Sequence, residues 1–496
     1  MNASKVQTFI ILLITTLFLA ACITTNPATG KKQFSLISSS QEAALGAEEH
    51  PKLVAQFGGK YDDAALAAYV ERVGDDLAAR SEMPDVDFSF TLLNSPIVNA
   101  FALPGGYVHI SRGLMAYFND EAEMASVLGH EIGHVTARHA ASRYTKSVLV
   151  GGGSAGLGAL FGSEALAKGV NTLGQVLFIL PYSRGQESQS DGLGLRYMVR
   201  TGHDPMGSVR MLEALATTAE LEAKKSGGSE QTVPSWARTH PLTSERIADQ
   251  KVRVANLVPE PATKNRYRDR YLDAIDGMIF GDDPAQGIIK GQQFLHPVLR
   301  LGFTAPDGFA LYNSASALVG VGPDDTRFLF TGGVISGGLS TRNYLDQSWA
   351  ELFEGEPPTK LTNIQNLSTN GMNGLTGTAR LEGEGGNLDI RMVAWRYDAT
   401  HAYYFLMITP EGGMAKYLER FHVMVTSFRK LTTAEASAIK PLRIRIITVR
   451  SGDTVSGLAA RMDVADFKEE TFRALNGLGA TEGVQAGQRV KIVVEG

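Results

Sequence analysis

The sequence predicts a multidomain chain: a mainly α-helical domain, then an α+β domain, then a small βααβ module. Three observations carry this expectation. The 496 residues exceed one ordinary core and suggest about three domains. Near residue 294 the texture changes from helical periodicity to alternating, aromatic-rich runs separated by Gly, Pro, Asp and Asn turns. The last fifty or so residues read as strand, helix, helix, strand. A charged content of 20%, an aromatic content of 8% and a net charge of −5 are ordinary for a globular protein. Lys and Arg are scattered and balanced by acids, which excludes nucleic acid as a partner.

Residues 1–21 open with Lys5 and the run Phe9–Ala21, thirteen apolar or small residues where a bilayer span needs about 20, and so read as a secretory signal. Leu19-Ala20-Ala21-Cys22 resembles the bacterial lipobox, which implies cleavage before Cys22 and membrane attachment through lipid on that residue. Ile23, standing where Asp is common in lipoproteins of the inner membrane, implies the outer membrane, facing the periplasm. An ordinary signal ending in an incidental cysteine is the alternative. Cys22 is the only cysteine, so no internal disulfide forms. Residues 22–40, polar with Pro27, Gly30 and a serine run, read as a tether.

Residues 41–260 hold the helical domain. Gln41–Ala79 has apolar residues at three- and four-residue spacings, and Phe88–Leu93 and Tyr107–Ile110 read as strands. A helix is expected from about Glu121 to Arg143, capped by Asn119 or Asp120. It contains His130-Glu131-Ile132-Gly133-His134. On a helix, positions i and i+4 share a face, so both imidazoles reach one metal ion with Glu131 beside the first. Zinc held by two neutral imidazoles and a carboxylate leaves a position for water, lowers its pKa to roughly 7 and needs a carboxylate base, the part that falls to Glu131. An amphipathic helix with two unrelated histidines is the plain alternative. Ser147–Gly162, uncharged and glycine-rich, reads as a mobile lid rather than a membrane hairpin, because glycines weaken a helix and Glu164 and Lys168 interrupt the apolar run.

Zinc still needs a third protein ligand. The form with glycine three and histidine six residues after His134 is excluded, since Ala137 and Ala140 stand there. His139, about 140° around the helix from His134, is not expected as a ligand. Glu187 and Asp191, spaced i, i+4, put two carboxylates on one helical face: Glu187 to bind zinc, Asp191 to hydrogen-bond the far nitrogen of a ligand histidine.

Taken together, NAFALPGGYVHISRGLM, VLGHEIGHVTARH, YSRGQESQSD and THPLTSERI resemble the periplasmic branch of the HtpX- and CaaX-prenyl-protease-related zinc metallopeptidases, the BepA-like enzymes, over about Asn26–Leu257. The resemblance implies a gluzincin fold, one zinc ion on His130, His134 and Glu187, and Glu131 as general base. It also implies that His240, in Thr239-His240-Pro241, sits over the metal, closing a resting site or holding the tetrahedral intermediate, with Arg246 organising that loop. The chain departs at Gln189 and Ser190, where Glu and Ala are common, and no tetratricopeptide tail is found. The strand around Val108 is expected beside the cleft, where an extended substrate adds as a strand.

Residues 261–293 read as a linker and 294–435 as the α+β domain, with no constellation that assigns chemistry. Residues 446–495 form the βααβ module. Through VRSGDTVSGLA, Leu475-Asn476-Gly477 and Val484–Val490 it resembles the LysM glycan-binding module, which implies peptidoglycan as a partner through Gly452, Asp453 and Asn476. The whole then reads as a zinc endopeptidase of the bacterial envelope acting on unfolded or misassembled envelope proteins. The alternative is a latent metallopeptidase-fold chaperone or scaffold bound to peptidoglycan.

Overall fold

The structure, a computed structural model, describes residues 23–151, 181–225, 236, 239–257, 263–353, 357, 359–382 and 386–496. Cys22 and the signal segment lie outside the described residues, as does most of the glycine-rich 147–162 stretch.

The 22–40 stretch is not a free tether. Strands β1 (Ile23–Thr25) and β2 (Lys32–Phe34) pair as an antiparallel hairpin. Asn26 at its turn donates to the Ala137 carbonyl at 2.8 Å, and the Leu36 amide donates to Thr145 Oγ1 at 3.0 Å. Two helices follow, Ser39–Gln56 and Ala64–Ala78, where the sequence pattern read as one run. A three-stranded sheet has the order β3 (Ser89–Leu93), β5 (Tyr107–Ser111), β4 (Ala100–Leu103). The strand around Val108 is therefore central, paired on both sides. The outer strands are β3 and β4, so the expectation that the strand around Val108 offers a free edge to substrate is corrected: both of its edges are filled.

Asp120 caps the motif helix, accepting from the Glu123 amide at 3.0 Å. That helix is Glu121–Thr136, shorter than expected. Arg138, at φ +53, breaks it in the left-handed region, and a second helix starts at His139. The break is held from outside: Arg138 forms a buried 2.7 Å ion pair with Glu42, and Asn26 takes the freed Ala137 carbonyl. Helices Arg184–Arg200, Met206–Lys225 and Ser244–Ala255 complete the domain.

The 261–293 stretch is a second correction. Its helix Arg268–Ile275 buries Tyr271, Leu272 and Ile275 in the same apolar cluster as the motif helix, and Ile279–Phe280 pairs with the strand Leu442–Thr448 of the terminal module. A short polar helix that buries three apolar residues reads as part of a linker until the surfaces on both sides of it are known. The α+β unit is built on a seven-stranded antiparallel sheet between Ala310 and Pro410, with helix Thr341–Glu351 and helix Met414–Thr426 packed in separate apolar clusters. The terminal module has the expected βααβ order: Leu442–Thr448, Val455–Ala460, Lys468–Asn476, Arg489–Glu495. Its core residues, among them Phe472, Leu475 and Val490, belong to the cluster of the helical domain.

Candidate metal centre

Close backbone contact brings the motif helix to the helix Arg184–Arg200. A Cβ on Gly194 would stand 2.9 Å from the His130 amide nitrogen, and one on Gly129 3.2 Å from Gly194, so the two helices touch only because both positions are glycine. Ser183 caps the second helix with Gln186 in a reciprocal box, which sets Glu187 in its first turn.

His130, His134, Glu187 and His240 converge, their ligand atoms all within 4.8 Å of one another and all four residues buried. His130 Nε2 lies 3.0 Å from His134 Nε2 and 3.4 Å from His240 Nδ1. Glu187 stands 3.5 Å from His130, 3.4 Å from His134 and 3.0 Å from His240. Two atoms bound to one tetrahedral ion at about 2.0–2.1 Å are about 3.3–3.4 Å apart, so this spacing fits a divalent metal, as does the nitrogen and oxygen donor set. Against their burial, which lowers it, Asp191 and Glu187 push His130 up to about 10, while burial holds His134 well below its ordinary value. Despite burial, His240 and His130 hold the Glu187 carboxyl well below the usual carboxylate range. A ligand imidazole must be neutral, so a metal held here would take the place of a proton on His130.

Around this cluster stand the orienting groups. Asp191 Oδ1 is 2.9 Å from His130 Nδ1, as the spacing predicts. Arg246 grips Asp191 through Nε at 2.9 Å and Nη2 at 2.7 Å, and places Nη1 2.8 Å from Glu187. Glu131 is fully buried, and neither of its oxygens has a hydrogen-bond partner among the described residues. Burial raises its pKa, opposed by His240 and His130. His240 Nε2 is 3.6 Å from Glu131, and the Trp236 ring stacks on His240 at 5.2 Å. Tyr182 stacks on His134 at 3.7 Å. Sequence reasoning missed Trp236 and Tyr182, and it set His139 aside. A straight helix would turn His139 away, but the break at Arg138 folds it back to 2.8 Å from His134.

In the terminal module, Gly452 takes φ +89, and Asp453 accepts from the Arg450 amide at 2.7 Å within the same turn. Asn476 does not face solvent. It is buried, donating to the carbonyls of Phe472 and Lys491 and accepting from the Lys491 amide, so its polar atoms are taken up inside the protein.

Residues 64–253 match Peptidase family M48, and residues 447–493 match the LysM domain. The chain is 30% identical over 256 residues to the beta-barrel assembly-enhancing protease of Yersinia pestis, covering 48% of this chain and 49% of that one. It is 29% identical over 243 residues to the Escherichia coli protein of the same name, covering 47% and 48%. With the mitochondrial metalloendopeptidase OMA1 of Arabidopsis thaliana it shares 33% over 169 residues, covering 34% and 32%. The chain thus spans about half the length, or less, of these relatives. Among solved structures, LpqN of Mycobacterium tuberculosis aligns with 27% of this chain and 83% of its own at 10% identity and a TM-score of 0.22, too low to bear on the fold. The chain carries a peptidase family M48 domain and, at its end, a LysM domain.

Proposed function

We propose that the chain is a zinc-dependent endopeptidase of the bacterial envelope that cleaves unfolded or misassembled envelope proteins. One observation carries the reading: a buried carboxylate with no hydrogen-bond partner among the described residues, Glu131, stands beside three imidazoles and a second carboxylate whose ligand atoms converge. His130, His134 and Glu187 would hold zinc, which when bound supplies Lewis-acid polarisation and an acidified water. Glu131 takes the proton of the attacking water and delivers it to the leaving amine, a part for which a carboxyl raised by burial is suited. Asp191 and Arg246 hold His130 and Glu187 in orientation. His240, with Nδ1 inside the ligand group, would close it as a fourth ligand in the resting site, and turned out of that place could donate to the oxyanion.

Substrate binds extended along β4, one of the sheet's two outer strands, which has no strand partner on its far side among the described residues. Attachment through lipid on Cys22 would hold the enzyme at the outer membrane, facing the periplasm, and the LysM domain would keep it near peptidoglycan. Among the described residues no helix is long and apolar enough to cross a membrane.

The test is casein cleavage by protein lacking residues 1–22, with metal content measured. Glu131→Gln should keep its zinc and lose at least about 100-fold in rate, and His240→Ala should gain activity. Full envelope function in cells carrying Glu131→Gln would instead favour the latent scaffold.

A further inference from the structure

We propose that His139 and Gln189 form a proton-ordering relay that fixes His134 as the tautomer protonated at Nδ1, leaving its Nε2 bare for the metal. The proposal rests on the metal-site reading above. His134 Nδ1 and His139 Nδ1 lie 2.8 Å apart, a spacing at which two ring nitrogens share one proton. On its far side His139 Nε2 stands 3.1 Å from Gln189 Oε1. An amide oxygen only accepts, so His139 Nε2 carries a hydrogen. His139 is 3% exposed and its outer partner is an uncharged amide, so a second proton, on Nδ1, would bury a cation with no countercharge in contact. His139 Nδ1 is therefore the acceptor, and the shared proton belongs to His134 Nδ1. Ser190 Oγ, 3.4 Å from the same His139 nitrogen, is a second and longer donor to it.

The consequence falls on the atom that matters. An imidazole protonated at Nδ1 presents its lone pair at Nε2, and His134 Nε2 is the atom 3.0 Å from His130 Nε2 and 3.4 Å from Glu187 Oε1. Turning the Gln189 amide so that its NH2 faces His139 would run the protons the other way and place a hydrogen on His134 Nε2, blocking the ligand position. The two ligand histidines are thus oriented by different chemistry: His130 by the Asp191 carboxylate, His134 by a neutral imidazole and an amide. His139 and Gln189 are positioning residues that touch neither metal nor substrate. The device needs the helix break at Arg138, because only the returning chain brings His139 back against His134.

The experiment compares wild type with Gln189→Met, which has no acceptor oxygen, and Gln189→Lys, which offers only donors. Histidine-15N spectra of the metal-free proteins read the tautomers, and competition against a chelator reads zinc affinity. Wild type should show His134 protonated at Nδ1; the Met and Lys variants should lose that signature and bind zinc roughly 10–100-fold more weakly. Unchanged melting temperatures of the metal-free proteins would show that the loss is not unfolding, and if the Lys variant fails to fold, the Met variant decides. Wild-type His134 protonated at Nε2, or Met and Lys variants that bind zinc as wild type does, overturns the relay. A wild-type protein that binds no zinc sinks the proposed function, while its metal-free spectrum still decides the tautomer.

Discussion

Arg246 is the residue on which both carboxylates of the site depend. It is largely buried, and its guanidinium meets Asp191 with two nitrogens and Glu187 with the third. Arg246→Met keeps the bulk of the stem but takes the guanidinium away from two buried carboxylates. Removing one partner of a buried ion pair costs about 3–5 kcal/mol, and disturbing the groups behind a metal ligand lowers affinity about 10–100-fold. Urea unfolding and chelator competition should show both losses together; a variant that loses stability but holds zinc normally would limit Arg246 to a structural part. Glu121, the first residue of the motif helix, gives a pH test away from the metal. Burial raises its pKa, but the hydrogen bonds from His203, Tyr69 and Arg270 outweigh this and bring it down to about 2, from 4.5. A carboxyl with a depressed folded pKa contributes stability above its unfolded value, and that stability is lost as pH falls towards 2. The full shift corresponds to roughly 3 kcal/mol at neutral pH, less for screening, since Arg72 and Arg270 are 50% and 44% exposed. About 1.4 kcal/mol of it should be gone by pH 3.5. Glu121→Gln should therefore be less stable than wild type at pH 7, with a smaller gap at pH 3.5. A gap that does not narrow would contradict the depressed pKa.

At the scale of elements, the site was legible wherever a local period fixes geometry. His130 and His134 had to share a face, as did Glu187 and Asp191, because both pairs are four residues apart on helices. The end of the motif helix was not legible. Nothing near Arg138 in sequence demands a left-handed residue; the break is held by Glu42 and Asn26, about a hundred residues upstream. The same is true of the edges of the sheet, since β4 and β5 are both short and apolar, and only the pairing order decides which of them is outer. How the two ligand helices meet is set by Gly194 and Gly129, and this gives a prediction. Gly194→Ala adds a methyl 2.9 Å from the His130 amide nitrogen, an atom in a helix backbone that cannot swing aside. The helices must separate, at a cost of about 1–3 kcal/mol, carrying Glu187 away from both imidazoles. Thermal melts should fall in the metal-free protein and zinc affinity should fall as well. A substitution that leaves both unchanged would mean that the helices have room the structure does not show.

For the whole molecule, the question is whether the LysM domain hangs on the chain as a separate bead. Lys491, on its last strand, argues otherwise. It is fully buried, and Nζ donates to the carbonyls of Ala116 at 2.8 Å and Phe118 at 2.6 Å, in the segment that leads into the motif helix. Burial pulls its pKa well below the usual lysine range, opposed by Glu123 and Asp120. Around it, apolar side chains of both domains form one continuous cluster, with the helix Arg268–Ile275 between them, while the α+β unit has clusters of its own. Cooperative units follow such clusters rather than sequence segments. Calorimetry should therefore show the peptidase and LysM domains melting together and the α+β unit apart. Lys491→Met leaves two buried carbonyls without a donor but relieves the burial of an amine, for a net loss of about 1–3 kcal/mol, or roughly 2–6 °C in the joint transition. The α+β transition should not move. If only a small separate LysM transition shifted and the peptidase melted as before, the terminal module would be independent, and glycan held by it could not act on the helix that carries His130, Glu131 and His134.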